Sequence, residues 1–500
     1  RIGGVPLLRD DLYASLQEGE TVTEDPGVSK LLNATKISGR TQKGLGIGVL
    51  NAITQKQYTR FRDKTTDVIR KEETMPLTNY NVFVLDQTLK HNSSISLVNT
   101  NVWRSGDAYD ANVTSALFDL NDKKNTWNIG GNVSFSNILG RDGKNTTGYA
   151  HSIYLGKTSG RFNFNIWQDL YNDKYDKSDM GYFTNNNTMD QGGWFGYNWT
   201  KPRGWYNQLR VNMNFWYSRL VSPIDNLRRK SMMYQNAGIN FNFNAQTKKL
   251  WWIGANINGG PNSHDFYEPR TYGRVFKNKG RINVNLWWES NSAKRLSWGG
   301  SVYAGTGGVF HRKNFDLNLF GKIRFSSKFS IDGSAYISSS RNQSGFAGKV
   351  GPQYDTIIFS RRNVNSVENV LNIKYNFTNR MGITLRTRHY WSKVNPLQFY
   401  ELDTYGDLKT PATPFTQNVR QNYNYLSVDM VYTWQFAQGS FFSIVWKDIG
   451  ESFNREFESN YAKNFTRTID GPQFNSLSLR VIYFLDYLTV RNKMNRKKQG

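Results

Sequence analysis

The chain has 500 residues, with 64 Lys+Arg against 39 Asp+Glu and a formal charge of +25. The absence of Cys excludes disulfides, iron–sulfur clusters and thiolate zinc sites, and at a mean hydropathy of −0.64 no run approaches the roughly 18 apolar residues of a membrane helix. Hydrophobic residues make up only 38%, yet aromatic residues reach 15%, too many for a disordered chain.

A polar chain rich in rings, Asn and Gly suits a surface that alternates between two solvents. It points to a transmembrane β-barrel. Residue 1 is Arg, with no charged n-region or apolar h-region behind it. The chain is therefore expected to be a processed form or the C-terminal part of something longer. Residues 1–30 come first. Val5–Lys30 does not alternate and has mixed charge, so the segment is read as an N-terminal strand, a lumen plug or a linker.

From residue 31 to 488 the dominant pattern is period 2, the signature of strands. Gly238–Asn244 puts Ile239, Phe241 and Phe243 on one face and Asn240, Asn242 and Asn244 on the other. Arg281–Trp288 aligns Ile282, Val284, Leu286 and Trp288. Phe315–Phe325 aligns Phe315, Leu317, Leu319, Ile323 and Phe325, and Ser476–Tyr487 aligns Leu477, Leu479, Val481, Tyr483, Leu485 and Tyr487. A soluble sandwich or propeller would charge its outward face; here the polar face is mostly Asn, Ser, Gly and Thr, which suits a lumen.

Connections alternate between short and long. The short ones are Thr41–Lys43, His91–Asn92, Asp122–Asn125, Thr158–Gly160, Lys201–Gly204, Thr247–Lys249, Ser292–Lys294, Ser326–Lys328, Thr378–Arg380 and Ala437–Gly439. The long ones include Tyr171–Gln191, Gly260–Asn278, Val394–Arg420 and Gly450–Pro472. Tight turns belong to the periplasmic side and long loops to the outside. Ten short turns give twenty strands and Gln473–Leu488 a twenty-first. Bacterial barrels close on an even number, so one more strand is expected near or upstream of residue 1, for about 22 in all. Residues 489–500, with the basic run Arg491–Lys498, are expected to form a periplasmic tail.

Several segments together resemble a family of Bacteroidota outer-membrane proteins known as a domain of unknown function. They are R-I-G-G-V-P at Arg1–Pro6, T-K-I-S-G-R-T-Q-K-G-L-G-I-G-V-L-N-A at Thr35–Ala52, P-L-T-N-Y at Pro76–Tyr80 and S-L-R-V-I-Y-F-L-D-Y-L at Ser478–Leu488. The resemblance implies a barrel preceded by a carbohydrate-binding-like sandwich domain, with this chain as the barrel part. It implies no catalytic residue, and it carries a link to carbohydrate only through the domain that this chain lacks.

The residues themselves offer little chemistry. The five histidines, His91, His151, His264, His311 and His389, show no metal-ligand spacing, and G-x-S-x-G is absent. No catalytic residue, metal or cofactor is expected, although a triad assembled from distant positions leaves a membrane-embedded hydrolase as an alternative. Asp169, Asp173, Asp176 and Asp179 crowd one loop without the calcium-loop spacing; a solvated loop is the plainer reading. Gly44, Gly46 and Gly48 superficially suggest a nucleotide loop, but glycines in a strand mark close approach or bending.

Trp194, Phe195, Tyr197, Trp199, Trp205 and Tyr206 cluster in the sequence beside Asn185–Asn187. Rings flanked by amides suit a glycan; the competing reading is the aromatic girdle at the membrane interface, which is also preferred for Trp251–Trp252 and Trp287–Trp288. With the apolar face toward lipid, the opposite face carries Arg210, Arg281, Lys322, Arg324, Lys374, Arg386, Arg388 and Arg480 against Asp169, Glu289, Asp316, Asp429 and Asp486. Either these cations are neutralised across neighbouring strands, or they favour anionic solutes or clamp an acidic plug such as Glu18–Asp25. No nucleic-acid motif accompanies the charge. The expected partners are outer-membrane lipid and lipopolysaccharide, with a glycan ligand and other surface subunits as further candidates.

The expectation is thus a bacterial outer-membrane barrel acting in transport or as the scaffold of a surface complex, linked to glycan binding or uptake. A soluble β-rich glycan-binding protein is the remaining alternative.

Overall fold

Residues that alternate between apolar and polar can satisfy both faces only in an extended strand, whose side chains point alternately to opposite sides. The computed structural model describes residues 16–17, 19–140, 143–222, 233–351, 353, 355–456, 458, 460–484 and 486. Two compact units are distinguished, Arg1–Tyr197 with Met213–Ala237, and Asn198–Asn212 with Gly238–Gly500. The chain is an all-β protein built on an antiparallel β-barrel sheet of 22 strands.

One of the 22 is the two-residue strand Leu408–Lys409. The other twenty-one are those that the ten tight turns and the final segment predict, and each of the ten turns joins consecutive strands. The further strand expected near or upstream of residue 1 lies outside the described residues. Leu31–Arg40 pairs with Leu45–Thr54, and Gln473–Ile482 pairs with Ser440–Asn454. Among the described residues neither Leu31–Arg40 nor Gln473–Ile482 has a second strand partner, and all of Leu31–Arg40 is exposed. The basic tail also lies outside the described residues.

Within residues 1–30, Glu20–Glu24 forms a strand in a three-stranded sheet with Gln57–Asp63 and Ile69–Met75. Gln57–Asp63 and Ile69–Met75 lie in the connection between Leu45–Thr54 and Thr78–Thr88, and Glu20–Glu24 joins them from ahead of Leu31–Arg40. Arg70 donates to both carboxylate oxygens of Glu20, at 2.8 and 2.6 Å, which holds the Glu20 carboxyl below its ordinary range.

Three loops differ in extent from the sequence reading: Tyr171–Gln191 ends early because Thr188–Trp199 begins inside it, and two others are entered by long strands. The strand Met381–Leu402 runs nine residues into Val394–Arg420, and Ser440–Asn454 runs into Gly450–Pro472. The remainder of Gly450–Pro472 holds the protein's one described helix, Tyr461–Asp470. Asn460 accepts from the Lys463 amide as its N-cap, and Gln473 Nε2 donates to the last carbonyls of Thr468 and Ile469 at 2.9 Å each. The strands Phe329–Val350, Thr356–Thr378 and Met381–Leu402 have 22, 23 and 22 residues. A bilayer takes only about 10, so these strands project beyond it at the end of the long connections.

One face of strand after strand carries exposed apolar side chains, among them Ile282, Leu286, Phe315, Leu319, Leu371 and Leu479. Large exposed apolar rows of this kind mark a surface made for a nonaqueous neighbour. On Arg312–Arg324 and just beyond it, the row runs from Phe325 to Phe315, ten residues or about 33 Å along the strand. At the usual tilt this is about 25 Å of height, the thickness of a barrel's lipid-facing band.

Candidate functional site

The opposite, inner face is paved by aromatic rings laid over glycines. Tyr154 stands directly opposite Gly130, Trp167 opposite Gly192, and Trp287 opposite Gly254. A Cβ at Gly254 would meet Nε1, Cε2 and Cζ2 of Trp287 at 2.2, 2.3 and 2.6 Å. Near-equal distances to three ring atoms mean that the indole lies across the glycine instead of standing off the sheet. A Cβ at Gly192 would meet Trp167 Cζ2 at 2.5 Å. Trp194 covers Gly196 of its own strand in the same way. A ring laid flat on the wall leaves its other π-face for the lumen.

Beside Trp167, between Phe162–Tyr171, Thr188–Trp199 and the strands that follow, lies a recess of about 380 Å³. Trp167, Asp169, Asp190, Asn214, Trp216 and Asn236 line it. Asp169 and Asp190 are direct cross-strand neighbours, and the Trp216 indole donates to Asn236 Oδ1 at 3.1 Å. Ring faces beside carboxylate and amide oxygens can stack on the C–H face of a sugar and accept from its hydroxyls.

Of the glycan-contact candidates Trp194, Tyr197, Trp199 and Trp205, only Trp194 shares this inner face. Alternation sends Tyr197 and Trp199 to the outer face, where Tyr197 is opposite the exposed Phe162. Trp205 is half exposed in the tight turn beyond the strand, against Tyr206. The 12 residues of Thr188–Trp199 separate Trp199 and the residues after it from Asn185–Asn187, so sequence adjacency did not become proximity. Sequence reasoning missed Trp167 and Trp216. The available signal was their phase: each is a ring on the polar side of an alternating strand. The Trp pairs also divide, since alternation and pairing put Trp252 and Trp287 inward and Trp288 outward, which corrects the girdle assignment for half of them.

A row of amides continues the inner wall. Asn242 donates to Asn212 at 2.7 Å, Asn256 to Asn242 at 2.6 Å, Asn258 to Asn256 at 3.1 Å, and Asn283 to Asn258 at 2.9 Å.

Two of the eight inner-face cations stand beside acids that the sequence count omitted. Arg388 clasps Glu368 through Nε and Nη2 at 3.0 and 2.9 Å. Arg386 is directly opposite Asp429, which Lys447 approaches at 3.8 Å from its other side. Lys322 is opposite Asp332, and Asp316 accepts from Ser338 at 2.6 Å. Arg324 donates to the Ser292 carbonyl. Lys374 is paired in register with Ser330 and Thr384, Arg281 with Gly260 and Gly307, and Arg480 with Ser443. Arg210 reaches Gln208 at 3.5 Å. Glu289 is in register with Trp252. Glu368, Asp332 and Lys447 could have been found, because they occupy the polar phase of their strands.

In the aspartate loop, Asp179 binds Arg104, whose side chain is as buried as its own, and accepts from Tyr109 at 3.1 Å. Burial, then the Asp179 charge, pushes the Tyr109 hydroxyl up to about 12. This carboxylate pins its loop. His389 Nδ1 faces the Tyr461 hydroxyl at 2.7 Å, while its Nε2 has no partner among the described residues; no Ser-His-acid relay forms there.

A family model with the description Domain of unknown function (DUF5916) matches residues 1–494. A search of the curated proteins finds no match. Among solved structures, the FrpB iron transporter from Neisseria meningitidis (F3-3 variant) is similar at 10% identity over 88% of this chain and 70% of that one, with a TM-score of 0.40. The outer membrane transporter YddB from Escherichia coli is similar at 7% identity over 89% of this chain and 67% of that one, with a TM-score of 0.38.

Proposed function

Because the chain belongs to that family, whose description states no activity, we propose from the geometry that it is an outer-membrane barrel that passes solutes, with glycans as the class that its inner wall suits. The carrying observation is the division of faces: exposed apolar rows outward, and rings over glycines with a linked amide row inward. Apolar side chains toward lipid and polar ones toward a lumen are what a transmembrane barrel requires. The recess around Trp167 and Trp216 is the contact best suited to a sugar ring, with Trp194 as a neighbour on the same face. Tyr197, Trp199 and Trp205 fit the interface girdle better.

The test is swelling of proteoliposomes that contain the full chain, with neutral oligosaccharides of increasing length as osmolytes. Entry should slow for the longer chains and fall several-fold in a Trp167→Ala/Trp216→Ala variant. Liposomes impermeable to every sugar would overturn the transport reading. Unchanged entry in the double variant would overturn the assignment of the recess.

A further inference from the structure

Lys313 and Arg341 stand directly opposite each other across the strands Arg312–Arg324 and Phe329–Val350. Both continue the outward row: Lys313 is two residues beyond Phe315, and Phe315 pairs with Ser339, two residues before Arg341. They therefore occupy the first positions past the apolar band, at the end of the long connections. Both are exposed, and neither has an ion-pair partner among the described residues. Like charges directly opposed on a sheet are destabilising, so this arrangement calls for an anion.

The neighbouring outward positions add positive charge. Lys393, on Met381–Leu402, is in the register row of Phe315 through Ser339 and Asn365. Its ammonium lies 4.3 Å over the Trp391 ring. Beyond it the helix Tyr461–Asp470 is seated on the same outward wall. Its Tyr461 hydroxyl accepts from Asn369 at 2.7 Å and meets His389, while Asn464 and Asn424 exchange hydrogen bonds. Asn369, His389 and Asn424 have the phase of the outward residues Leu371, Leu385 and Leu426, so the helix lies outside the barrel wall and not within it. It exposes Lys463 and Arg467, both held by Glu458 at 3.4 and 3.2 Å. Glu458 is the acid that faces this group.

We propose that Lys313 and Arg341, flanked by Lys393, form a binding site for the phosphate groups of an anionic lipid in the outer leaflet. The site is on the membrane-facing wall, one residue pair above the hydrocarbon level, where acyl chains along Phe315 and Ile337 would bring a phosphorylated headgroup between the two cations. The inference rests on the membrane reading of the apolar face and is independent of what crosses the lumen.

The experiment uses the full chain in uncharged detergent, with bisphosphorylated lipid A, phosphate-free lipid A and inorganic phosphate as probes, read by native mass spectrometry. Folding is read separately from heat-dependent electrophoretic mobility, so a failed barrel is distinguished from a failed site. The wild-type chain should prefer the phosphorylated lipid by about thirtyfold, the effect expected of two cations near a membrane surface. Lys313→Gln/Arg341→Gln should fold yet lose the preference, and Lys313→Arg/Arg341→Lys should retain it. Equal binding of both lipids, or a folded double Gln variant that keeps the preference, would overturn the proposal. Displacement of the lipid by millimolar inorganic phosphate would assign the site to a free anion and overturn the lipid.

Discussion

Trp287 lies flat across the Cα of its direct cross-strand partner Gly254, so that a Cβ there would come within 2.2 Å of the indole Nε1. The glycine is what allows the ring to cover the strand. Gly254→Ala should tilt the indole off the wall and, by overpacking, cost about 1–3 kcal/mol. Urea unfolding in liposomes, followed through tryptophan emission, measures both effects; an unchanged midpoint and spectrum would contradict the packing.

The same lumen carries paired charge. Glu368→Gln frees Arg388 from its clasp and removes one negative charge from the inner face. In planar bilayers under a KCl gradient, the variant's reversal potential should shift toward anion preference relative to wild type. A shift toward cations would place Glu368 away from the conducting path.

Topology follows from the loops. The chain has no Cys, so Thr404→Cys gives a single thiol in the connection after Met381–Leu402. A membrane-impermeant maleimide should label it on intact cells. Labelling only after lysis would invert the assignment of long connections to the outside.

The helix seat depends on buried amides. Asn464→Ala leaves the Asn424 Oδ1 without its donor in a buried position, which should cost about 1–3 kcal/mol. Loosening should appear as faster tryptic cleavage after Lys463 and Arg467, mapped by mass spectrometry. Cleavage as slow as in wild type would show that the helix is held by other contacts.

The Glu20–Arg70 pair gives the small sheet a pH dependence. Arg70 lowers the Glu20 pKa first through its hydrogen bonds. A depressed carboxylate stabilises above its unfolded pKa, and that contribution is lost as the pH falls through the folded value. A spin label on Thr23→Cys should therefore be immobile at neutral pH and gain mobility only below the ordinary carboxylate range. Glu20→Gln should gain it at neutral pH, and identical mobility in both proteins throughout would refute the role of the pair.

The sequence by itself determined twenty-one of the 22 strands, the ten turns and the apolar face of the well-phased strands. These depend on period-2 alternation and on local turn chemistry, both of which are written in neighbouring residues. Phe315, Leu317 and Leu319 can share only one face, whatever surrounds them. Tertiary structure decided everything that depends on register. Gly192 under Trp167, Glu368 beside Arg388 and Arg341 opposite Lys313 are 25, 20 and 28 residues apart in sequence, and only the stagger of paired strands brings each pair together. The Trp194–Tyr206 cluster shows the converse: residues adjacent in sequence are divided, because each step along a strand turns the side chain to the other side of the wall. The helix Tyr461–Asp470 was also beyond local reading, since its ten residues are too few to hold a helix alone, and its seat is made by Asn369, His389 and Asn424 from three distant strands.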